Sequence, residues 1–166
     1  MVATPRVKLG ASTGNRKWYI DVNTAASGAA VWAPVGGVTD FKPSRDGNME
    51  DDSDFDSGGY QSETKTAEKW SADLKVARKV TTASALAYDP GQEFLRAKSQ
   101  GVFGVANSCE IRYYEMEPAG PRIEAFQGRC AVDYTDDGGG MTALSTASIK
   151  MMGQGALVAI AHPAAA

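Results

Sequence analysis

Asp52, Asp54, Asp56 and Glu63 stand at the first, third, fifth and twelfth places of one window. That is the spacing at which a helix–loop–helix calcium site presents its oxygen ligands. Such a loop needs glycine at its sixth place for the sharp turn, but this chain has Ser57 there, with Gly58 and Gly59 one and two places late. The flanks fail as well: neither VTDFKPSRDGN before nor TKTAEKW after reads as an amphipathic helix. The metal reading therefore stays an alternative. The plainer one is a charged loop, held off the core by like-charge repulsion until something pairs with it.

Other chemistry has little to work with. The one histidine, His162, sits in the terminal AHPAAA and reads as a bystander, which removes zinc HExxH sites and Ser-His-Asp or Cys-His constellations. No two carboxylates share an apolar setting that would split their pKa values. No catalytic residue, resident metal or cofactor is assigned, and the chain reads as a non-enzyme. Cys109 and Cys130 have no CxxC spacing. In a reducing cytoplasm they are expected as buried thiols, with a bridge open only at a non-hydrogen-bonded strand pair.

The elements that would position these residues are mostly strands. The 166 residues fit one domain. The net charge of −3 hides an asymmetry: residues 46–56 carry six acids and no base, so the remainder sums to +3. No basic stripe marks a nucleic-acid binder. The start lacks the apolar stretch of a signal peptide, and no apolar run approaches the roughly 18 residues of a membrane span. The reading is a soluble protein made in the cytoplasm, with residues 1–15 and 161–166 as flexible arms.

KWYIDVN (17–23) alternates Trp18, Ile20 and Val22 against Tyr19 and Asp21; NTAASG then turns the chain into AVWAPVGGV (30–38). Residues 64–80 place Trp70, Ala72, Leu74, Val76, Arg78 and Val80 on one side, with Ser71, Asp73, Lys75 and Lys79 on the other. Asp89, Pro90 and Gln92 have the spacing of a capping box, Arg96 and Lys98 suit a helix C-terminus, and Gly101 can close it. One short helix over about 89–100 follows. Residues 108–134 read as a hairpin turning at Pro118-Ala119-Gly120-Pro121, with paired positions summing to 239. Cys109 then faces Cys130, Tyr113 faces Phe126, Glu110 faces Arg129 and Glu117 faces Arg122. Residues 142–157 supply a final strand or pair, with Met151-Met152 as core or interface filler. The expected fold is mainly β: an antiparallel sandwich or barrel, one flanking helix, and an extended acidic loop over about 45–62.

The order of WAPVGGVTDFKP, DDSDFDSGGYQSETKTAEKW, ADLKVARKV, YDPGQEFLRA, a long hairpin and SIKMMGQG resembles the major tail tube proteins of long, non-contractile-tailed bacteriophages. The likeness spans about residues 15–160. DFDSGGY followed by TKTAEKW, and the late GQG, are its most specific parts. It implies a structural virion protein, made in the host cytoplasm, that self-assembles into stacked hexameric rings. The resulting tube holds a tape-measure protein, meets tail-end proteins, and conducts double-stranded DNA without binding it specifically. On this reading Asp51, Asp52, Asp54, Phe55, Asp56, Gly58, Gly59 and Tyr60 form the subunit or ring interface. The two glycines supply positive φ, and Phe55 is an apolar anchor. Lys8, Arg16, Lys42, Lys75, Arg78 and Lys79 are the cations that could neutralise the acids. Ser71, Asp73, Lys75, Lys79, Glu110, Arg112, Gln127 and Arg129 would line the lumen or the wall between subunits. The alternative is a monomeric β-sandwich module binding calcium through the acidic loop, with ligand contacts from Trp18, Trp32 or Tyr60.

Overall fold

The computed structural model describes residues 18–56, 58–82, 84–116 and 120–164. Strands β1 (Trp18–Asn23), β2 (Trp32–Pro34), β3 (Val38–Asp51) and β4 (Glu63–Ala77) come first. A small hairpin of β5 (Val80–Thr81) and β6 (Ser84–Tyr88) leads into helix α1 (Pro90–Ser99) and a 3-10 turn at Gly104–Asn107. Strands β7 (Ser108–Glu115), β8 (Ala125–Asp136), β9 (Thr146–Gly153) and β10 (Val158–Ala159) complete the chain. One antiparallel sheet runs in the order β2-β1-β7-β8-β9-β4-β3, and β10 continues beside β8.

The sheet rolls until its two ends touch. Phe41 of β3 meets Trp18 of β1 and Tyr113 of β7, with ring centroids 5.8 and 5.1 Å apart. The roll does not close, because β1 and β3 exchange no ladder. The mainly antiparallel architecture, with a single α-helix among the described residues, is therefore the expected one, as an open roll rather than a shut barrel. Its inward face carries Ile20, Val22, Leu74, Val76, Ile111, Val132, Ile149 and Met151, all buried. Each contributes about 1.5–3 kcal/mol by leaving water.

The β7–β8 hairpin has the register read from the sequence: Cys109 faces Cys130, Glu110 faces Arg129 and Tyr113 faces Phe126. Glu117, Pro118 and Ala119 lie outside the described residues. Glu115 N–H donates to Glu124 O (3.1 Å). Bonded and non-bonded pairs alternate along an antiparallel ladder, so Cys109 and Cys130, an even number of residues further on, also share a bonded position. Both are free thiols.

Helix α1 begins as its sequence demands. Asp89 Oδ1 accepts from Gln92 N–H (3.0 Å), and Pro90 takes the first helical position. The Gln92 side chain does not complete the capping box. It is buried and donates to Gly36 O (2.8 Å) and Ala77 O (3.2 Å), tying the helix to the ends of β2 and β4. Leu95 is fully buried beneath the helix, and Gly101 closes it at φ 67°.

Trp70 anchors the far side of the core. Its ring occupies the space a Cβ would need at Gly128 (2.6 Å) and Gly153 (2.4 Å), and its Nε1–H donates to Gly155 O (2.9 Å). Gly153→Ala keeps an ordinary backbone angle but drives a methyl into the indole. We expect a loss of about 1–3 kcal/mol, read by urea denaturation with an unchanged slope; unchanged stability would mean that the ring shifts freely.

The C-terminal segment is docked where described. Ile160 N–H bonds to Ala125 O, and His162, only 9% exposed, sets its Nε2 2.7 Å from Glu115 O and its ring edge on Tyr114. His162 is thus part of the packing rather than a bystander, and its Nδ1 accepts from Ala164 N–H (3.1 Å).

Candidate assembly site

Two surfaces stand out: a projecting acidic arm and the outward face of the sheet. The arm corrects an expectation. The sequence predicts a loop over about 45–62, but β3 continues to Asp51 and β4 starts at Glu63, so only residues 52–62 connect them. Past the Ser71–Met152 pair β9 ends, and the two strands go on alone as a ribbon, Arg45 facing Trp70 and Asp51 facing Glu63. Ser44 to Asp51 spans roughly 25 Å. Every residue from Lys42 to Asp56 and from Glu63 to Lys69 is exposed. No core burial forms this ribbon; cross-strand pairing does, including Asp46 opposite Lys69.

At the tip the acids cap local backbone. Asp51 Oδ1 accepts from Ser53 N–H (2.9 Å), Asp54 Oδ1 accepts from Asp56 N–H (3.0 Å), and Asp52 accepts from the Thr64 hydroxyl. Hydrogen bonds from Ser53, and from Thr64 and Ser62, hold Asp51 and Asp52 below the usual carboxylate range. Gly58 and Gly59 take φ 62° and 85°, the positive values the turn requires. Phe55 is wholly exposed and Tyr60 largely so. Among the described residues no three acidic, histidine or cysteine side chains gather where a metal could sit. The calcium alternative thus lacks converging ligands. Its proposed contacts are also apart: Trp18, half-buried, packs against the core, Trp32 stacks on Arg112, and Tyr60 lies at the tip.

The outward sheet face gathers most of the residues assigned to a lumen or wall. Register puts Ser71, Asp73 and Lys75 of β4, Glu110 and Arg112 of β7, and Gln127 and Arg129 of β8 on this one side. Lys79 is not among them; it lies past the end of β4, exposed. Lys42, Asp73, Lys150 and Asp133 form one row across β3, β4, β9 and β8, alternating in sign. Glu110 accepts from Gln127 (2.7 Å) and Asn23 (3.0 Å). Arg129, although opposite Glu110, instead donates to Ser108 Oγ through Nε and Nη2.

One member of this face was missed. Asp21, on the side of β1 opposite Trp18, Ile20 and Val22, is 5% exposed. Its Oδ2 accepts from both Nε and Nη2 of Arg112 at 2.8 Å and from the Tyr114 hydroxyl at 3.3 Å. Trp32 covers the guanidinium at 4.5 Å. The partner lies 91 residues away in sequence, so only the pairing of β1 with β7 reveals it. Beside this cluster a cleft of about 530 Å³ follows the unclosed seam, between Trp18–Asp21 on one side and Pro34–Phe41 on the other.

No family model matches the chain, and no curated protein sequence does. Solved structures do. A chain from the tail of an empty gene transfer agent particle, refined with C6 symmetry, superposes with TM-score 0.64 at 17% identity, covering 91% of this chain and 100% of that one. One from the virion of the native particle gives TM-score 0.63 at 15% identity over 90% and 100%. One from the sheath-tube complex of PVC, an extracellular contractile injection system, in its extended state gives 0.53 at 9% over 90% and 92%. Identities this low speak for the fold alone. The chain has a tail-tube-like fold.

Proposed function

We propose that this chain is a structural tail tube subunit, without catalytic activity, that forms six-fold rings stacking into a tube. The observation that carries the reading is the division of labour in its surface. A largely polar sheet face stands open, and a long two-stranded arm reaches away from the core with no described residue of the chain burying it. An isolated two-stranded ribbon is marginal in water, so this one belongs against a partner. The tail with C6 symmetry supplies the analogy for rings.

The polar face is the proposed lumen. Its charges alternate rather than accumulate, as in the Lys42, Asp73, Lys150 and Asp133 row. Affinity for DNA grows with each phosphate a protein neutralises. A face whose cations are matched by neighbouring acids lets the duplex slide. The tape-measure and tail-end proteins implied by the resemblance belong to the same proposal, as does a place in the virion tail.

Negative-stain electron microscopy of the concentrated protein, with and without chelator, is the test. Six-fold rings or hollow tubes indifferent to chelator are the expected result. Compact particles that melt higher in millimolar calcium would overturn it. A second measurement addresses the arm. Replacing Asp52, Asp54 and Asp56 by Asn leaves a side-chain carbonyl oxygen to cap the turn and removes the charge. The triple variant should remain folded while light scattering shows slower polymerisation; growth at the normal rate would show that charge does not drive assembly.

A further inference from the structure

We propose that residues 7–13 of the chain itself fold back over the open seam between β1 and β3 and cover the cleft there. The proposal concerns the single chain and stands apart from the tube reading. The seam is shut at one end and open at the other. Val35 N–H donates to Ile20 O (2.8 Å) on β1, and Gly37 O accepts from Ala77 N–H (2.8 Å) on β4. Within Gly36-Gly37 the chain thus crosses from one edge to the other, with Gly37 at φ 71°. Beyond that crossing, Trp18 and Tyr19 flank the cleft on one side and Thr39 to Phe41 on the other. β3 is the last strand of the sheet on that side. The floor is apolar: Ile20, Val35 and Phe41 are buried, whereas Trp18 and Val38 stay half-buried although they pack on the core.

The sequence ahead of Trp18, outside the described residues, supplies the cover. In RVKLGA (6–11), Val7, Leu9 and Ala11 alternate with Arg6, Lys8 and Gly10, the pattern of a strand with one apolar face. Gly14-Asn15, just before β1, is a two-residue hairpin signal. A turn there sets Ala11 opposite Trp18 and Gly10 opposite Tyr19. Val35 already holds the Ile20 carbonyl, so the ladder stops and Val7-Lys8-Leu9 leaves it across the cleft. Alternation then turns Val7 and Leu9 toward Trp18, Val38 and Phe41, and Lys8 toward solvent. Residues 7–11 extend about 16 Å, against about 13 Å for the β1 side of the cleft. The charged residues lining it, Asp21 and Asp40, are both acids, but Arg112 and Lys42 already pair with them; the apolar fit carries the argument. The short turn ties the segment to its own cleft at an effective concentration of order millimolar. That selects this chain's own residues as the occupant over the same segment of a second copy.

The test places Leu9→Cys and Val38→Cys in one chain, dilute and under mild oxidation, with Cys109 and Cys130 left buried. Closure within a chain is read as a faster band on a non-reducing gel, and exchange between copies as a link between tagged and untagged chains. Leu9→Cys with Phe103→Cys is the control. Phe103 is exposed and lies just ahead of the start of β7, whereas Trp18 faces Glu115 at the other end of that strand. The expected result is an intrachain disulfide several-fold above the control and unchanged by further dilution. No excess over the control would overturn the proposal. A link found only between tagged and untagged chains would overturn it as well, by assigning the seam to a second copy. A second measurement needs no cross-link. Val38→Cys alone should react with a maleimide several-fold faster once Val7 and Leu9 are replaced by Asp; an unchanged rate would show that the segment does not cover the cleft.

Discussion

Replacing residues 47–68 by Asn-Gly is expected to leave a folded body that no longer forms tubes. Asp46 and Lys69 face each other, so the change leaves a two-residue hairpin turn of a favoured type between them. It removes only ribbon. Trp70 and Arg45 stay, and with them the packing of the indole on Gly128 and Gly153 and of the Arg45 guanidinium over Phe126 (4.5 Å). The melting temperature should therefore stay within about 4 °C of the parent, the range for a change of about 1 kcal/mol in a chain of this size. Polymer should be absent by light scattering and microscopy at concentrations where the parent assembles. A variant that polymerises normally would place the assembly contacts elsewhere. One that unfolds would show that the ribbon supports the core.

The second large effect is on stability. Trp70→Ala should cost about 3–5 kcal/mol by urea denaturation, the range for removing a buried large aromatic. Two glycines have no side chain with which to fill the space, and Gly155 O loses its donor. A loss below about 1 kcal/mol would mean that the β9–β10 turn collapses onto the vacancy. Gly153→Ala and Trp70→Ala disturb the same contact from its two sides, so their effects should not add.

What was legible in the sequence follows from the range of the forces involved. The β7–β8 register is readable because an aromatic pair and facing charges mark it, and α1 because its cap and its closing glycine lie next to it in sequence. The end of β3 was not readable. Arg45–Asp51 has neither alternating apolar residues nor β-branched ones, and it is a strand only because Glu63–Trp70 returns beside it. Gln92 was read by its distance from Asp89, whereas its side chain answers to carbonyls on Gly36 and Ala77 that the fold brings near. Asp21 and His162 were missed in the same way, being buried by residues far along the chain. The candidate lumen face was largely readable because period-two alternation survives in β4, β7 and β8. Lys79 fell out because β4 stops at Ala77.

The unbroken course of β4 has a mechanical consequence. Half of the strand is knitted to β9 in the body, half is held only by β3, and one backbone runs through both. A pull on the arm along its length therefore arrives at the body as shear, loading the whole β4–β9 ladder at once instead of unzipping it bond by bond. A fibre joined end to end by such arms would bend where the two-stranded ribbons lie and resist stretching everywhere else.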